Sequence, residues 1–121
     1  MRRPERMAEV LREEISEIVG YELEDPRLRS VTVTDVKVAP DLRDANIFVL
    51  VEGDEEEKES AMAALSRAST FVRRQVALNL DLRHAPVLHF ARDTVEENAA
   101  RVEEILEEIS EEQVTDNTEE T

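Results

Sequence analysis

The chain has 121 residues, with thirty acidic residues against fifteen basic ones and a formal net charge of −15. This length accommodates one domain with one hydrophobic core. The sequence contains no cysteine, which excludes disulfides and thiolate metal sites. We recognise neither a secretory signal nor a membrane span, so we expect a cytosolic protein.

The basic residues are unevenly distributed between the two types, with thirteen arginines and two lysines. This composition suits a high-salt interior, where carboxylates keep the surface hydrated and arginine serves where its planar guanidinium is needed. An ordinary acidic protein explains it equally well. Stability measured over a series of potassium chloride concentrations distinguishes these two interpretations. Only a protein adapted to high salt should become more stable above physiological salt.

Residues 60–92 are basic within this acidic chain. They hold five arginines against one aspartate, a net of +4, so the remaining residues sum to −19. Clustered guanidinium groups usually attract phosphates, which favours an anionic partner over a merely solvated helix face. These arginines are Arg67, Arg73, Arg74, Arg83 and Arg92.

The first third of the chain predicts a helix followed by a β-hairpin. Apolar residues recur at three- and four-residue steps and predict a core-facing helix from about Pro4 to Tyr21. Residues 31–38 are rich in β-branched side chains and predict a strand with a bulge near Thr34 and Asp35, where the apolar positions change parity. Residues 45–51 are almost continuously apolar and predict a strand buried on both faces.

The basic segment itself predicts two helices separated by a kink. Ser60 is a candidate N-cap for the first helix, and Ser69 and Thr70 interrupt the apolar pattern before the second. We expect Phe71 to face the core, on the apolar side of the second helix. His84 to Pro86 end that helix, and residues 87–91 predict a third strand.

The end of the chain predicts one more helix and a tail. Thr94 and Glu97 have the spacing of a capping box, and apolar residues continue to Ile109 at helical intervals. From Glu111 onwards the sequence is polar, acidic and unpatterned. The sequence therefore predicts one α+β domain over residues 1–110 and a disordered acidic tail over residues 111–121.

Residues that support catalysis or metal binding are few. Two glycines cannot build a phosphate-cradling loop, and the numerous carboxylates lie on helix exteriors or in the tail. His84, His89 and Asp93 could in principle hold a metal, but strand alternation puts His89 and Asp93 on one face, while His84 lies before Pro86, outside the strand. We expect an exposed His84, a partly buried His89, no metal, no cofactor and no enzymatic activity.

The kink predicts a phosphate site. A helix that starts after Ser69 and Thr70 would offer free backbone N–H groups and a positive dipole end beside Arg73 and Arg74. The candidate RNA-binding residues are Arg2, Arg3, Arg6, Arg67, Ala68, Ser69, Thr70, Arg73, Arg74 and Arg83. For three other arginines we prefer ion pairs at helical spacing: Arg12 with Glu9, Arg92 with Glu96, and Arg101 with Glu97.

Four separated motifs resemble the ribosome-binding factor A family. They are Glu24–Leu28, Val31–Leu42, Ala68–Arg73 and Leu82–Phe90, within a resemblance that covers about Arg6 to Ile109. The resemblance implies a KH-like type II domain, ordered α-β-β-α-α-β with a three-stranded sheet, to which a C-terminal helix is added. In this family an alanine-centred kink replaces the usual glycine loop. Two departures are Thr70 and Arg29, which stand where the family commonly has glycine.

The resemblance also implies a function. Members of the family associate with the small (30S) ribosomal subunit late in assembly, aid maturation of 16S rRNA near its 5′ end, and are not enzymes. By matching positions, RNA proximity carries over to Arg73 and Arg83 first, and then to Arg67 and Arg74. We expect a protein that is monomeric when free, with assembly GTPases as further candidate partners. A different interpretation is a protein-binding adaptor whose acidic last helix engages a ribosomal protein or such a GTPase.

Overall fold

The structure is a computed structural model that describes residues 4–119, with side chains from residue 4 to residue 111. Its first element is helix α1, Pro4–Glu17, which one π-helical turn extends over Ile18–Glu22. Leu11, Ile15 and Ile18 on one side of this helix are fully buried, as the apolar periodicity predicts. A 3-10 turn over Pro26–Leu28 then leads into the sheet.

The sheet has three strands in the order β1-β2-β3. Strand β1 spans Val31–Val38 and pairs antiparallel with β2, Asp44–Val51, so the predicted hairpin is confirmed. The register shifts between Val33 and Asp35, which confirms the predicted bulge. Strand β3, Val87–Arg92, pairs in parallel with β2 and makes β2 the central strand.

Strand β2 is buried on one face only, and the prediction of two buried faces is wrong. Ala45, Ile47, Val49 and Val51 are buried, whereas the alternate residues from Asp44 to Leu50 are exposed or half-buried. The physical reason is that the core lies between a single face of the sheet and two helices, α1 and α2 (Glu55–Asn79). On the other face of the sheet, Phe48 and Leu50 stay partly accessible.

Helix α2 runs without a break over Glu55–Asn79, a length of 25 residues, so the prediction of two helices separated by a kink is wrong. The buried stripe of Ala64, Val72 and Val76 continues past Ser69 and Thr70. Ser69 donates its hydroxyl hydrogen to the carbonyl oxygen of Ser66 at 2.8 Å, within its own helix, instead of capping a new one.

The predicted caps of α2 and the last helix, α3, are also displaced. Asp54, not Ser60, caps α2, in a capping box that Glu57 completes. Helix α3 spans Thr94–Glu119, and the carboxylate of Asp93, not the hydroxyl of Thr94, accepts from the backbone N–H of Glu96 at 3.0 Å. In both cases an aspartate stands immediately before the helix, where its short side chain reaches the free N–H groups.

Helix α3 extends further than the sequence predicts. Its assigned backbone includes residues 111–119, most of the segment that we predict to be a disordered tail. The division of the chain at residue 110 stays a prediction. The three helices and the three-stranded sheet confirm the α+β class.

Candidate nucleic-acid interface

A basic cleft of about 330 Å³ lies where the C-terminal half of α2 meets the chain that leads into β3. Its lining includes Thr70, Arg73, Arg74, Arg83, His84 and Ala85. Helix α2 contributes the first three and the connection to β3 contributes the others. The fold therefore brings together three of the predicted arginines from two separate parts of the chain.

The arginine side chains of this region differ in how they are held. Arg73 donates from Nε and Nη2 to the carbonyl oxygen of Ala85, at 3.0 and 2.8 Å. Within residues 4–111, Arg67, Arg74 and Arg83 form no hydrogen bond or ion pair. Arg73 thus braces the cleft, while the other three present exposed guanidinium groups to solvent.

The continuous helix aligns a mixed basic and apolar stripe beside the cleft. Arg67, Phe71, Arg74 and Leu78 follow one another at steps of four and three residues, which places them on one face of α2. Phe71 is 41% exposed and Leu78 is 68% exposed. The expectation that Phe71 faces the core is wrong, and the stripe offers an aromatic ring between two arginines.

The phosphate site predicted at a helix start does not form. The backbone amides of Ser69 and Thr70 lie in the interior of α2, where they belong to the hydrogen-bond ladder of the helix. Ala68 and Ser69 are half-buried, and Thr70 is exposed at the edge of the cleft. Positive charge here therefore comes from side chains and not from a helix terminus.

Of the three N-terminal arginines, only Arg6 lies among the described residues. Arg2 and Arg3 fall outside the described residues, and Arg6 is exposed on α1. Asn79, the last residue of α2, donates its side-chain amide to the carboxylate of Glu14 on α1 at 2.6 Å. This bond ties the end of α2 to the helix that carries Arg6.

Two other arginines are held in ion pairs away from the cleft. Arg92 bonds to Glu97 at 2.7 Å and to Glu55, so the predicted ion pair with Glu96 is wrong. These hydrogen bonds raise the pKa of Arg92, and they lower the pKa of Glu55. Arg27 bonds to Asp25 at 2.6 Å and lowers the pKa of that carboxyl group to about 2.

The ion pairs predicted for Arg12 and Arg101 are wrong. Neither guanidinium lies within bonding distance of a carboxylate among the described side chains. Glu97, the expected partner of Arg101, is already bound by Arg92. Exposed pairs at helical spacing gain little free energy in water, and spacing alone does not form them.

The candidate metal ligands do not come together. His89 lies 2.8 Å from Asp44 across the sheet, with about half of its side chain exposed, so it is less buried than we expect. Asp93 accepts from the hydroxyl of Thr34 at 2.5 Å, and this bond lowers the pKa of Asp93. Among the described residues no three His, Asp or Glu side chains are arranged to hold a metal ion.

No helix within residues 4–119 combines the length and the hydrophobicity that crossing a bilayer requires.

Comparison with known proteins bears on the family and the fold. A sequence profile described as ribosome-binding factor A matches residues 3–106. The ribosome-binding factor A of Thermomicrobium roseum is 46% identical over 116 residues, which are 96% of this chain and 90% of that protein.

Two structures of related proteins share the fold. The crystal structure of ribosome-binding factor A from Thermus thermophilus superposes with a TM-score of 0.66 at 29% identity, covering 74% of this chain and 94% of that one. A homology model of the Thermus thermophilus ribosome-binding factor A, fitted into a cryo-EM map of its complex with the 30S subunit, gives a TM-score of 0.59 at 32% identity, over 68% and 86% of the two chains. On the sequence match along nearly its whole length and on the shared fold, this chain belongs to the ribosome-binding factor A family.

Proposed function

We propose that this protein is a non-enzymatic assembly factor that binds the small (30S) ribosomal subunit through its 16S rRNA, in the cytoplasm. It assists late maturation of the subunit, including processing of the rRNA at its 5′ end. Family membership supports the proposal, as does the relative that is fitted into a 30S complex.

The observation that carries the proposal is the group of exposed, unbonded guanidiniums around the basic cleft. Arg74 and Arg83 line the cleft, and Arg67 lies two helical turns before Arg74 on α2, in a chain whose net charge is −15. Such a surface attracts phosphates, while the remainder of the molecule repels them, so the charge distribution orients the protein on RNA. Phosphate contacts position the protein, and the shape of the folded rRNA supplies selectivity.

The groups with displaced pKa values support binding in preference to catalysis. The carboxyl groups of Asp25, Glu55 and Asp93 have lowered pKa values because each accepts hydrogen bonds in an ion pair or a helix cap. None of the three lines the basic cleft. Their charged state is thus explained by local structure, without a reaction.

The proposal is tested by reversing charge on the stripe. We expect Arg67→Glu with Arg74→Glu to lower affinity for isolated small subunits and for a protein-free fragment of 16S rRNA by at least tenfold. The matched control is Arg12→Glu with Arg101→Glu, which makes the same charge change at exposed arginines that do not line the cleft. Equal affinity of the two double variants for the RNA would remove the basic face from the mechanism.

The role in 5′-end maturation needs a cellular measurement. Cells that lack their own family member are complemented with the wild type or with the Arg67→Glu, Arg74→Glu variant, and 16S rRNA 5′ ends are mapped by primer extension. We expect precursor ends to accumulate with the variant. Mature ends in both strains, with RNA binding lost in the variant, would separate binding from processing and reject this part of the proposal.

A further inference from the structure

Beyond its first two turns, the described part of helix α3 is surrounded by solvent. Every side chain from Arg101 to Glu111 is exposed. The apolar residues of this helix are exposed as well: Val95 by 75%, Val102 by 54%, Ile105 by 42%, Leu106 by 57% and Ile109 by 44%. A contiguous group of large exposed apolar side chains marks an interaction surface.

These apolar residues form one seam along the helix. Val95, Val102 and Ile109 stand seven residues apart, with Ile105 and Leu106 between the last two. This is the spacing at which one helix packs its side chains into another. The seam therefore fits a second helix and not a flat or extended partner.

The flanks of the seam determine the charge of that partner. Residues 94–111 carry seven glutamates and one arginine, a net of −6. A second copy of α3 would bring a like-charged flank against each of these carboxylates, which disfavours self-association. The same carboxylates repel nucleic-acid phosphates. A helix with lysine and arginine beside its own apolar seam complements both features.

We propose that α3 is a docking helix for a basic amphipathic helix of another protein. The partner packs its apolar side chains against Val102, Ile105 and Ile109 and pairs its cations with the flanking glutamates. This interaction adds a protein-binding surface to the RNA-binding surface proposed above, and the two do not depend on each other.

The fold keeps the two surfaces apart. Arg92 bonds to Glu97 in the first turns of α3 and to Glu55, the first residue of α2, so α3 departs beside the start of α2. Arg73 follows Glu55 by 18 residues along the same helix, about 27 Å at 1.5 Å per residue. One protein can therefore hold RNA at one end of α2 and a protein helix at the other.

The test uses the full chain and a fluorescently labelled peptide about three heptads long, with isoleucine and leucine at the seam and lysine and arginine on the flanks. We expect anisotropy to report binding of this peptide and no binding of the same peptide with glutamate on its flanks. Binding of the two peptides with equal affinity, or of neither, would overturn the proposal.

Two pairs of variants locate the peptide on α3. We expect Ile105→Gln with Leu106→Gln to weaken binding at least tenfold. Tyr21→Gln with Leu78→Gln, which removes even more exposed apolar groups elsewhere, should not change binding. Glu104→Gln with Glu108→Gln should weaken binding several-fold, and the control Glu9→Gln with Glu13→Gln on α1 should not. Because all of these side chains are exposed, thermal unfolding of the domain should be unchanged, which separates lost docking from lost folding.

Sedimentation and RNA-binding measurements distinguish the other possible occupants of the seam. Sedimentation should show a monomer, and a dimer that dissociates in the Ile105→Gln, Leu106→Gln variant would assign the seam to a second copy instead. Affinity of that variant for the 16S rRNA fragment should equal that of the wild type, and a parallel loss would make α3 part of the RNA surface. If the wild type binds the peptide but no RNA, the proposed function fails while this inference stands.

Discussion

Arg73 donates two hydrogen bonds to the carbonyl oxygen of Ala85, at 3.0 and 2.8 Å, and so fastens α2 to the chain that enters β3. Arg74, the next residue, forms no such bond within the described part of the chain and is exposed. Two adjacent arginines in one basic cleft therefore have different tasks. Arg73 maintains the shape of the cleft, and Arg74 is available to a ligand.

The difference between these arginines predicts different effects on stability. Arg73→Ala should lower the free energy of unfolding by about 1–3 kcal/mol, because the carbonyl of Ala85 loses a charged donor. Arg74→Ala should change it by less than about 0.5 kcal/mol, as at an ordinary surface position. Urea unfolding of both variants measures this, and equal midpoints would contradict the assignment of Arg73 as a brace.

The salt dependence of RNA affinity reports how many phosphates the cleft neutralises. In a plot of the logarithm of RNA affinity against that of salt concentration, Arg67→Ala, Arg74→Ala and Arg83→Ala should each reduce the slope by roughly 0.7–0.9. Arg92→Ala serves as the control, since Glu55 and Glu97 already hold that guanidinium. A slope that changes only with Arg92→Ala would place the RNA elsewhere.

Phe71 lies half-exposed between Arg67 and Arg74, where an unpaired base can stack on its ring. Phe71→Ala should weaken binding to a single-stranded segment of the rRNA by about 1–3 kcal/mol, whereas Phe71→Tyr, which keeps the ring, should preserve it. Titrations with the RNA and with a copy that carries abasic sites measure the effect. If Phe71→Ala lowers affinity for the abasic copy as much as it lowers affinity for the intact RNA, base stacking does not explain the loss.

The cap of α2 can be tested with two substitutions. Asp54→Ala should lower the free energy of unfolding by about 1 kcal/mol, because the backbone N–H of Glu57 loses the acceptor that it reaches at 2.8 Å. Ser60→Ala, at the cap that the sequence predicts, should leave stability nearly unchanged or raise it slightly, since alanine favours a helix interior. Thermal unfolding compares them, and the reverse order would restore Ser60 as the helix start.

Asp25 predicts a loss of stability in acid. Its pKa is lowered to about 2, first because the Arg27 side chain donates to its carboxylate and then because the Arg27 backbone N–H does so too. A carboxyl group whose pKa is lower in the folded state stabilises the fold above its unfolded pKa, near 4, and loses that contribution as the pH falls towards 2. The urea midpoint of the wild type should therefore be higher than that of Asp25→Asn at neutral pH. This difference should shrink between pH 4 and pH 2. A difference that is constant over this range would show that ionisation of Asp25 is irrelevant.

Local patterns predicted many elements of this fold because each depends on neighbouring residues. The parity change near Thr34 marks the bulge, and the steps from Met7 to Leu23 mark α1. Predictions failed where two signals competed. Ser69 and Thr70 are residue types that often cap helices, but the buried apolar residues before and after them keep the same helical phase. Burial of those residues stabilises one continuous helix, and this outweighs the tendency of Ser69 and Thr70 to end it.

The candidate site was predictable as a set of arginines but not as a surface. Charge distribution alone singles out the five arginines of residues 60–92, which include Arg67, Arg74 and Arg83. Nothing local shows that Arg73 turns to Ala85, or that Phe71 is exposed, because both depend on how α2 lies against β3. The apolar residues before and after Ser69 and Thr70 keep one helical phase, and this signal could have placed Phe71 beside Arg67 and Arg74 on one face of a single helix.

By itself the sequence determined the α+β class, the order of most elements, the basic segment and the family, because periodicity, charge and motifs are properties of the chain. The tertiary structure decided which face of β2 is buried, which arginines are bonded and which are exposed, and that the apolar seam of α3 is exposed. These properties depend on contacts between residues far apart in the chain. Burial and ion pairing are set by what lies opposite a side chain in space, which no local pattern specifies.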